Sequence, residues 1–185
     1  MLRKKQKRVS KNDWLVTAID MLENDGIEKV NIERLARKLG ISKSGFYWHF
    51  KNKKELYQQL LDYWSHEYTE VVIGNTQHSD DNTIQKLNNV MEMIEQYDLT
   101  KYDLAIANWA KNDPQAEVAV EIVYKKRLAY VGSIFAELGL DADETEMRTR
   151  LFVCYHSWEK TMYKDLDPEK RAQLRKRRLA LFTKE

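Results

Sequence analysis

The stretch from Asn31 to Lys53 constrains the fold more than any other part of the chain, and it reads NIERLARKLGISKSGFYWHFKNK. Its apolar residues recur at the spacing of one helix face, at Ile32, Leu35, Ala36 and Leu39. The side chain of Asn31 can accept a hydrogen bond from the first turn, and Gly40 readily adopts the left-handed backbone that ends a helix. The pattern therefore predicts a short helix followed at once by a tight turn.

A second helix is predicted directly after this turn, with Ser42 as its capping residue. Phe46 and Phe50 are four positions apart and should point inward, where Phe46 would fill the core between the two helices. The side chains left outside are Lys43, Tyr47, Trp48 and His49. Two short helices packed across a tight turn form a helix-turn-helix, here over about residues 31–51.

Charge is distributed unevenly along the chain. Residues 1–54 contain 14 Lys and Arg against 6 Asp and Glu, whereas residues 55–166 contain 10 against 20. The positive end coincides with the helix-turn-helix, as a surface that binds phosphates requires. The alternative is an ordinary solvated charge pattern. The basic stretch from Met1 to Lys11 either contacts DNA or only increases solubility.

The remainder of the chain is predicted to be helical. Both prolines follow an aspartate, at Asp113-Pro114 and Asp167-Pro168, which is typical of a helix start. Asn52 and Glu55 resemble a capping box, and Thr100 can cap a short helix. Residues 74–82 are predicted to form a loop. The other helices are expected at residues 12–24, 52–72, 83–97, 113–138, 141–164 and 168–182, so the fold should be all-α with about nine helices.

Several functions find no support in the sequence. No run of 18 apolar residues and no secretory signal is present, so we expect no membrane span. The single Cys154 cannot form an internal disulfide, which fits a reducing cytoplasm. No nucleophile with an orienting acid accompanies His156, and no glycine-rich phosphate loop occurs. A metal site is not expected either, because its candidate ligands span a helix and a loop: His66, His78, Asp80 and Asp81. We therefore predict no enzyme, cofactor or metal.

The string LARKLGISKSGFYWHFKNKKEL resembles the TetR family of tetracycline-repressor-like transcriptional regulators, and the likeness extends over Asn12 to Leu56. The resemblance implies a homodimer that binds double-stranded DNA and an unidentified small-molecule effector. It implies a DNA-binding domain over residues 1–54 and an effector-binding and dimerisation domain over residues 55–185. The expected function is a repressor that an effector releases from its operator. The alternatives are an effector-independent or architectural DNA-binding protein, and a helical carrier or enzyme with an incidental helix-turn-helix.

The resemblance also assigns residues to the DNA surface: Lys43, Ser44, Gly45, Tyr47, Trp48, His49 and Lys53. Tyr47, His49 and Lys53 match phosphate contacts, and Lys43 faces base edges or phosphate. Ser44 and Gly45 form a small pair that permits close approach. Tyr47 and Trp48 can instead pack against the first helix. Glu33 departs from the pattern, since its carboxylate lies near the DNA and either accepts from a cytosine amino group or favours the helix N-terminus.

An effector site is predicted among the aromatic residues that follow Thr100. An apolar pocket with His156 as its polar tip is proposed from Trp109, Tyr124, Tyr155, His156 and Trp158. The alternative is that these residues form plain core or a dimer interface. The resemblance places the dimer on the last two long helices, where one apolar face carries Met147, Leu151, Tyr155, Trp158 and Met162.

Overall fold

The computed structural model describes residues 9–77, 81–163 and 166–184, and within these ranges it is helical with no strand. Its α-helices are α1 (Lys11–Asp25), α2 (Ile32–Leu39), α3 (Lys53–Ser65), α4 (Val71–Gln77), α5 (Thr83–Gln96), α6 (Asp103–Ala110), α7 (Pro114–Ala136), α8 (Ala142–Met162) and α9 (Pro168–Thr183). The described residues also form 3-10 turns at Ile27–Lys29 and Lys43–Trp48 and a π-helical turn at His66–Glu70. The expected all-α architecture is confirmed.

Three aromatic rings hold the N-terminal unit together. Trp14 of α1 meets Phe46 edge to face at 5.5 Å between ring centroids, and Phe46 stacks on Phe50 at 5.1 Å. All three side chains are fully buried or nearly so, as are Leu35 and Ala36 of α2. Such large rings bury much apolar area, so this cluster fixes the segment Lys43–Trp48 rigidly against α1 and α2.

The predicted ends of α2 are confirmed. Asn31 Oδ1 accepts from the backbone N–H of Arg34 at 3.0 Å. Gly40 adopts φ 71° and ψ 29°, the left-handed conformation, and the N–H of Ile41 then donates to the carbonyl of Ala36 at 3.0 Å. Because these interactions are local, the sequence was sufficient to predict them.

The segment after the turn is a 3-10 helix and not the α-helix that the sequence predicts. Its N–H groups bond three residues back, from Gly45 to the carbonyl of Ser42 and from His49 to that of Phe46. The predicted cap at Ser42 is wrong, because its hydroxyl bonds the Ser44 hydroxyl at 2.7 Å instead of a backbone N–H. Lys43–Trp48 is called the recognition segment below.

Half of the predicted capping box at the start of α3 is present. Asn52 Oδ1 accepts from the N–H of Glu55 at 2.9 Å. The Glu55 carboxylate, however, accepts from the N–H of Lys51 at 2.6 Å and not from that of Asn52. Helix α3 begins at Lys53, and Glu55 also bonds the short connection between the recognition segment and α3.

The sequence predicts a loop over residues 74–82, but in the structure the preceding helix continues past residue 74. Helix α4 passes through Gly74 and ends at Gln77, while residues 78–80, including His78 and Asp80, lie outside the described residues. The helix persists because Val72 and Thr76 are buried, and the hydroxyl of Tyr130 donates to Thr76 Oγ1 at 2.5 Å. Helix α7 thus stabilises the last turn of α4, although the polar sequence of that turn disfavours a helix.

The expected domain boundary near residue 54 is not a break in packing. One cluster of buried apolar residues runs from Trp14 in α1 through Leu60 in α3 to Trp109 in α6 and Val123 in α7. Helix α3 packs against both α1 and α7. The N-terminal unit is therefore seated on the C-terminal helices through α3, rather than attached by a flexible linker.

A buried polar cluster, called the junction below, joins α3, α6 and α7. Arg127 Nη1 lies 2.5 Å from Asp103 Oδ2, and Trp64 Nε1 donates to Asp103 Oδ1 at 3.1 Å. Arg127 Nε donates to Thr69 Oγ1 at 3.0 Å, and its Nη2 donates to the carbonyl of Tyr68 at 3.4 Å. The junction thus binds the π-helical turn at the end of α3 to the C-terminal helices.

Two further predictions concern the basic N-terminal stretch and the candidate metal ligands. The basic residues Arg3, Lys4, Lys5, Lys7 and Arg8 of the N-terminal stretch lie outside the described residues. His66, a candidate metal ligand, faces Glu67 and Glu70 at 3.8 and 3.4 Å. No helix in the described ranges is both long and apolar enough to cross a bilayer.

Asp103→Asn should destabilise the fold, because it leaves Arg127 buried without a countercharge. The Asp103 side chain is only 3% exposed. Breaking a buried pair by removing one partner costs about 3 kcal/mol or more in the free energy of unfolding. Urea denaturation measures this loss. The matched control is Glu146→Gln, whose pair with Arg150 is exposed at 62% and 65% and should change stability by less than about 1 kcal/mol. Equal small losses in both variants would contradict the role of the junction.

Candidate nucleic-acid interface and internal cavity

Two large aromatic side chains of the recognition segment face solvent. Tyr47 is 63% exposed and Trp48 is 86% exposed. They point outward because Phe46 and Phe50 occupy the inward side of the same segment. The alternative that Trp48 packs against the first helix is therefore wrong. Exposed rings on a rigid support provide a surface that can contact sugars, bases or phosphates at little entropic cost.

Lys43 is paired with Glu33 on the adjacent helix. The Lys43 amine donates to the Glu33 carboxylate, and both side chains are more than half exposed. This hydrogen bond, more than any other interaction, holds the pKa of Glu33 below its usual value. Glu33 also lies in the first turn of α2 with a backbone hydrogen bond to its carboxylate, as the predicted role at the helix N-terminus requires, whereas its pairing with Lys43 was not predicted.

The small pair Ser44 and Gly45 is partly explained by packing within the motif. Ser44 is exposed, and its hydroxyl bonds that of Ser42. A Cβ added to Gly45 would lie 3.1 Å from Cδ1 of Ile41, which is closer than most such contacts. A glycine therefore fits this position whether or not DNA approaches it.

The His49 ring faces the protein. Its Nε2 lies 3.2 Å from the backbone carbonyl of Val9 and the ring is half-buried. A carbonyl only accepts, so Nε2 carries a hydrogen and donates it to Val9. His49 thus anchors the chain that enters α1 through Val9.

Lys53 is exposed at the first position of α3. Its amine lies 4.9 Å from the centre of the Tyr57 ring. The Tyr57 hydroxyl in turn donates to the backbone carbonyl of Val30 at 3.0 Å. Tyr57 is therefore fixed, and it supports the Lys53 side chain near the helix N-terminus without neutralising its charge.

Further basic side chains are exposed around the recognition segment and were not assigned to contacts from the sequence: Arg34, Arg37, Lys38, Lys51 and Lys54. They contribute to the positive charge of residues 1–54 that the sequence already shows. The packing of α2 and α3 determines which of these side chains lie on the same side as Tyr47. The charge count alone therefore could not identify the basic residues of that surface.

A cavity of about 60 Å³, which is partly open, lies beside the junction. Its wall is largely apolar and includes Val72 of α4, Val90 of α5, Val131 of α7 and Phe152 of α8. Of the five residues predicted to form a pocket, His156 lines this cavity. The other four, Trp109, Tyr124, Tyr155 and Trp158, lie elsewhere.

Trp109 and Tyr124 lie outside the cavity and pack against other residues. Trp109 packs edge to face on Tyr57 at 5.1 Å and donates its Nε1–H to Asp113 at 3.0 Å. The Tyr124 ring lies 5.4 Å from the guanidinium carbon of Arg127. Trp109 therefore secures the start of α7, and Tyr124 covers the junction.

Tyr155 and Trp158 lie on other faces of α8. The Tyr155 hydroxyl donates to Glu159 at 3.0 Å, and the guanidinium of Arg178 from α9 lies 4.3 Å from the Tyr155 ring. Trp158 is 46% exposed. Because residues two apart diverge on a helix, His156 and Trp158 cannot line one internal wall.

His156 is held in one tautomer. Its Nδ1 lies 2.7 Å from the carbonyl of Phe152, so Nδ1–H donates to it. The residue is 3% exposed, and Nε2 has no hydrogen-bond partner in the described part of the chain. Burial, with the positive charge of Arg178 second, lowers the pKa of His156 to about 4. The ring is therefore neutral at physiological pH.

Comparison with known proteins identifies the N-terminal unit. Residues 15–60 match the family model of bacterial regulatory proteins of the tetR family. The N-terminal unit therefore contains a tetR-family domain. Over 46 residues the chain is 41% identical to the class C tetracycline repressor of Escherichia coli. The aligned stretch covers 25% of this chain and 21% of that relative. The matched stretch is thus about a fifth of that repressor's length.

Solved structures of TetR-like fold match almost the whole chain. A TetR transcriptional regulator from Legionella pneumophila superposes with a TM-score of 0.74 at 11% identity, covering 99% of both chains. AibR, solved in complex with isovaleryl coenzyme A and operator DNA, gives a TM-score of 0.71 at 18% identity, covering 96% of this chain and 98% of its own. At such low identity these likenesses establish the fold alone.

The buried neutral His156 should make stability depend on pH. Between its usual pKa of 6.5 and its folded pKa of about 4, the unfolded chain binds a proton that the folded chain does not. The free energy of unfolding should therefore decrease as pH falls through this window, by about 3 kcal/mol from this residue. Urea titrations of the native chain and His156→Phe, compared pH by pH, isolate the contribution because carboxylates titrate in both. Parallel profiles would show that His156 is not buried as the neutral ring.

Proposed function

We propose that this chain is a transcriptional regulator that binds duplex DNA through the recognition segment. The observation that supports the proposal is the pair of exposed rings, Tyr47 and Trp48, mounted on the buried Trp14, Phe46 and Phe50 cluster. The segment belongs to the part of the chain that matches the tetR family. Its surroundings are basic, which attracts the phosphate backbone.

The proposed contacts divide between backbone and bases. The Tyr47 hydroxyl and the Lys53 amine would donate to phosphates and so set the position of the protein on the duplex. Trp48 would contact a sugar or a thymine methyl group. Ser44 and Gly45 would allow the backbone to approach, and His49 would act indirectly by anchoring Val9.

Lys43 is proposed to exchange Glu33 for DNA. An exposed ion pair stabilises by about 0–1 kcal/mol, whereas a well-placed contact to guanine discriminates by about 1–3 kcal/mol. The exchange is therefore favourable only where the correct base is in reach. Glu33 would weaken binding to sequences that offer Lys43 no contact stronger than this ion pair, and it would thereby contribute to specificity.

We further propose that two copies associate through α8 and α9. Large apolar side chains are exposed on these helices, namely Met147, Leu151, Trp158 and Met162 on α8 and Leu181 on α9. The four on α8 recur at spacings of 4, 7 and 4 residues and so share one side of the helix. A contiguous apolar patch of this kind marks an interaction surface, and a second copy would cover it symmetrically.

An effector in the cavity would act through α3. The cavity wall includes Thr69 and Arg127, which also belong to the junction. A volume of about 60 Å³ is below the roughly 300–1,000 Å³ of ordinary ligand pockets, so a bound molecule must displace part of the wall. Displacing the π-helical turn would tilt α3 and alter the separation of two recognition segments, which must span about 34–36 Å to reach successive major grooves.

This mechanism assigns residues 1–54 to DNA binding and residues 55–185 to dimerisation and effector response. It describes a repressor that is released when its ligand binds. AibR, a protein of the same fold, was solved with both a ligand and operator DNA. The small cavity also favours a second candidate, an effector-independent DNA-binding protein. DNA affinity that no small molecule changes would select this second candidate.

Lys53→Ala should weaken binding to all duplex sequences alike, because a phosphate contact carries no base information. Removing one phosphate contact should reduce the slope of log affinity against log salt by about one unit. Fluorescence anisotropy with two unrelated duplexes at several salt concentrations measures both effects. Lys111→Ala is the control, since Lys111 is exposed at the end of α6 and bonds Asn108. A change in sequence preference, with an unchanged salt slope, would refute the phosphate contact.

Leu151→Glu should convert the dimer to a monomer, because it places a charge in the proposed interface. The matched control is Val118→Glu on α7, since Val118 and Leu151 are both 54% exposed. Sedimentation equilibrium should give the mass of two chains for the native protein and the control, and of one chain for Leu151→Glu. A native protein that sediments as a monomer, or a control that dissociates equally, is incompatible with this interface.

A further inference from the structure

We propose that the cavity beside the junction takes a small, uncharged, largely apolar molecule with one hydroxyl group, of the size of a phenol, and that Nε2 of His156 accepts its hydrogen bond. The proposal deepens the proposed function by naming the chemical class of the effector. It rests on that function only for the consequence of binding, whereas the binding itself is a separate property of the C-terminal helices.

The fixed tautomer of His156 decides the polarity of the ligand. Nδ1–H is committed to the carbonyl of Phe152 on its own helix, so the opposite end of the ring points away from α8. His156 lines the cavity, and its Nε2 is buried without a partner among the described residues. A buried unsatisfied acceptor costs free energy that a ligand O–H can recover.

Other polar groups in the wall are already engaged. Arg127 directs its guanidinium to Asp103, Thr69 and the carbonyl of Tyr68. The hydroxyl of Tyr130 donates to Thr76. Tyr68, Thr100 and Ser157 also line the cavity, and the rest of the wall is apolar. Tyr68 is hydrogen-bonded to Tyr102, and Ser157 to Tyr124. A ligand that meets one acceptor in an apolar enclosure needs one donor and an apolar body.

Charged ligands are disfavoured by the same surroundings. The positive charge of Arg127 is balanced by Asp103, so it offers no net attraction to a carboxylate. A carboxylate would also face the lone pair of Nε2, and a carboxylate has no proton to donate. An ammonium group would lose its hydration in an apolar cavity without a countercharge.

The volume sets the size of the ligand. An apolar cavity of about 150 Å³ in another protein holds benzene, whereas this cavity measures about 60 Å³. A single ring therefore enters only if the wall moves enough to more than double this volume, and a larger body requires rearrangement of several helices. The part of the wall formed by Thr69 and Val72 joins α3 to α4. A ligand of this class would thus act on the segment that leads to the DNA-binding unit.

The test uses matched probes on the full chain without DNA. Phenol and toluene have the same shape and number of heavy atoms and differ in the hydroxyl, and benzoate adds a charge. Titration calorimetry should show phenol binding about tenfold more tightly than toluene, as expected for satisfying one buried acceptor. Benzoate should not bind. Equal affinities for phenol and toluene, preferred binding of benzoate, or binding of none of the three would overturn the proposal.

Two variants locate the acceptor. His156→Phe keeps a ring of similar size without Nε2, and it should reduce the preference for phenol over toluene to about one. Ser157→Ala is the matched control, because Ser157 lines the same cavity and neighbours His156. It should keep the preference. Loss of the preference in Ser157→Ala but not in His156→Phe would move the hydrogen bond to Ser157 and refute the assignment.

A spectroscopic measurement does not depend on how the variants fold. In native protein labelled with ¹⁵N-histidine, phenol should shift the Nε2 resonance of one of the 4 histidines, whereas toluene should leave it in place. An Nε2 resonance that does not respond to saturating phenol would refute the proposal. DNA affinity is then measured with and without phenol. Phenol binding at His156 with unchanged DNA affinity would support this site and contradict the release mechanism. A failure of the ligand site can therefore be distinguished from a failure of the proposed function.

Discussion

The buried ion pair between Asp103 and Arg127 fixes α3 to the C-terminal helices, within the boundary that the continuous apolar cluster also spans. Asp103 also accepts from Trp64 of α3, and Arg127 also donates to Thr69 of the π-helical turn. Two opposite charges are stable in an apolar interior only when they are paired and fully hydrogen-bonded. The cluster therefore has one favourable arrangement, and that arrangement fixes α3, on which the N-terminal unit is seated.

The same ion pair would couple the cavity to the DNA-binding unit in the proposed mechanism. Arg127 is both a wall of the cavity and the partner of Asp103. In that mechanism, a ligand that displaced Thr69 would change the hydrogen bonds of Arg127 and with them the support of α3. No long path through the protein is needed, because a single side chain contacts the cavity, the π-helical turn and the junction.

Local features of the fold could be predicted from the sequence. The caps of α2 at Asn31 and Gly40 and the inward position of Phe46 depend on neighbours within a few residues. The 3-10 geometry of the recognition segment was not predicted, because Ser42 offers the same capping hydroxyl whether it bonds the backbone or Ser44. The extension of α4 past Gly74 was also missed, since it depends on Tyr130 from α7.

The candidate sites were predictable to different degrees. The outward position of Tyr47 and Trp48 follows from the inward position of Phe46, so periodicity alone was sufficient. The pairing of Lys43 with Glu33 joins two helices, and the contact of His49 with Val9 spans 40 positions, so neither has a local signal. The cavity was located only in part, because an aromatic-rich sequence does not show which helix face each ring occupies.

Selection of bound duplexes from a random library by the full chain tests the central claim most directly. If two recognition segments read DNA from a symmetric pair of chains, the enriched sequences should contain an inverted repeat. The centres of its half-sites should be separated by about 10–10.5 base pairs or a multiple of that distance. Enriched sequences with one unpaired half-site, or no enrichment above the starting library, would contradict the account.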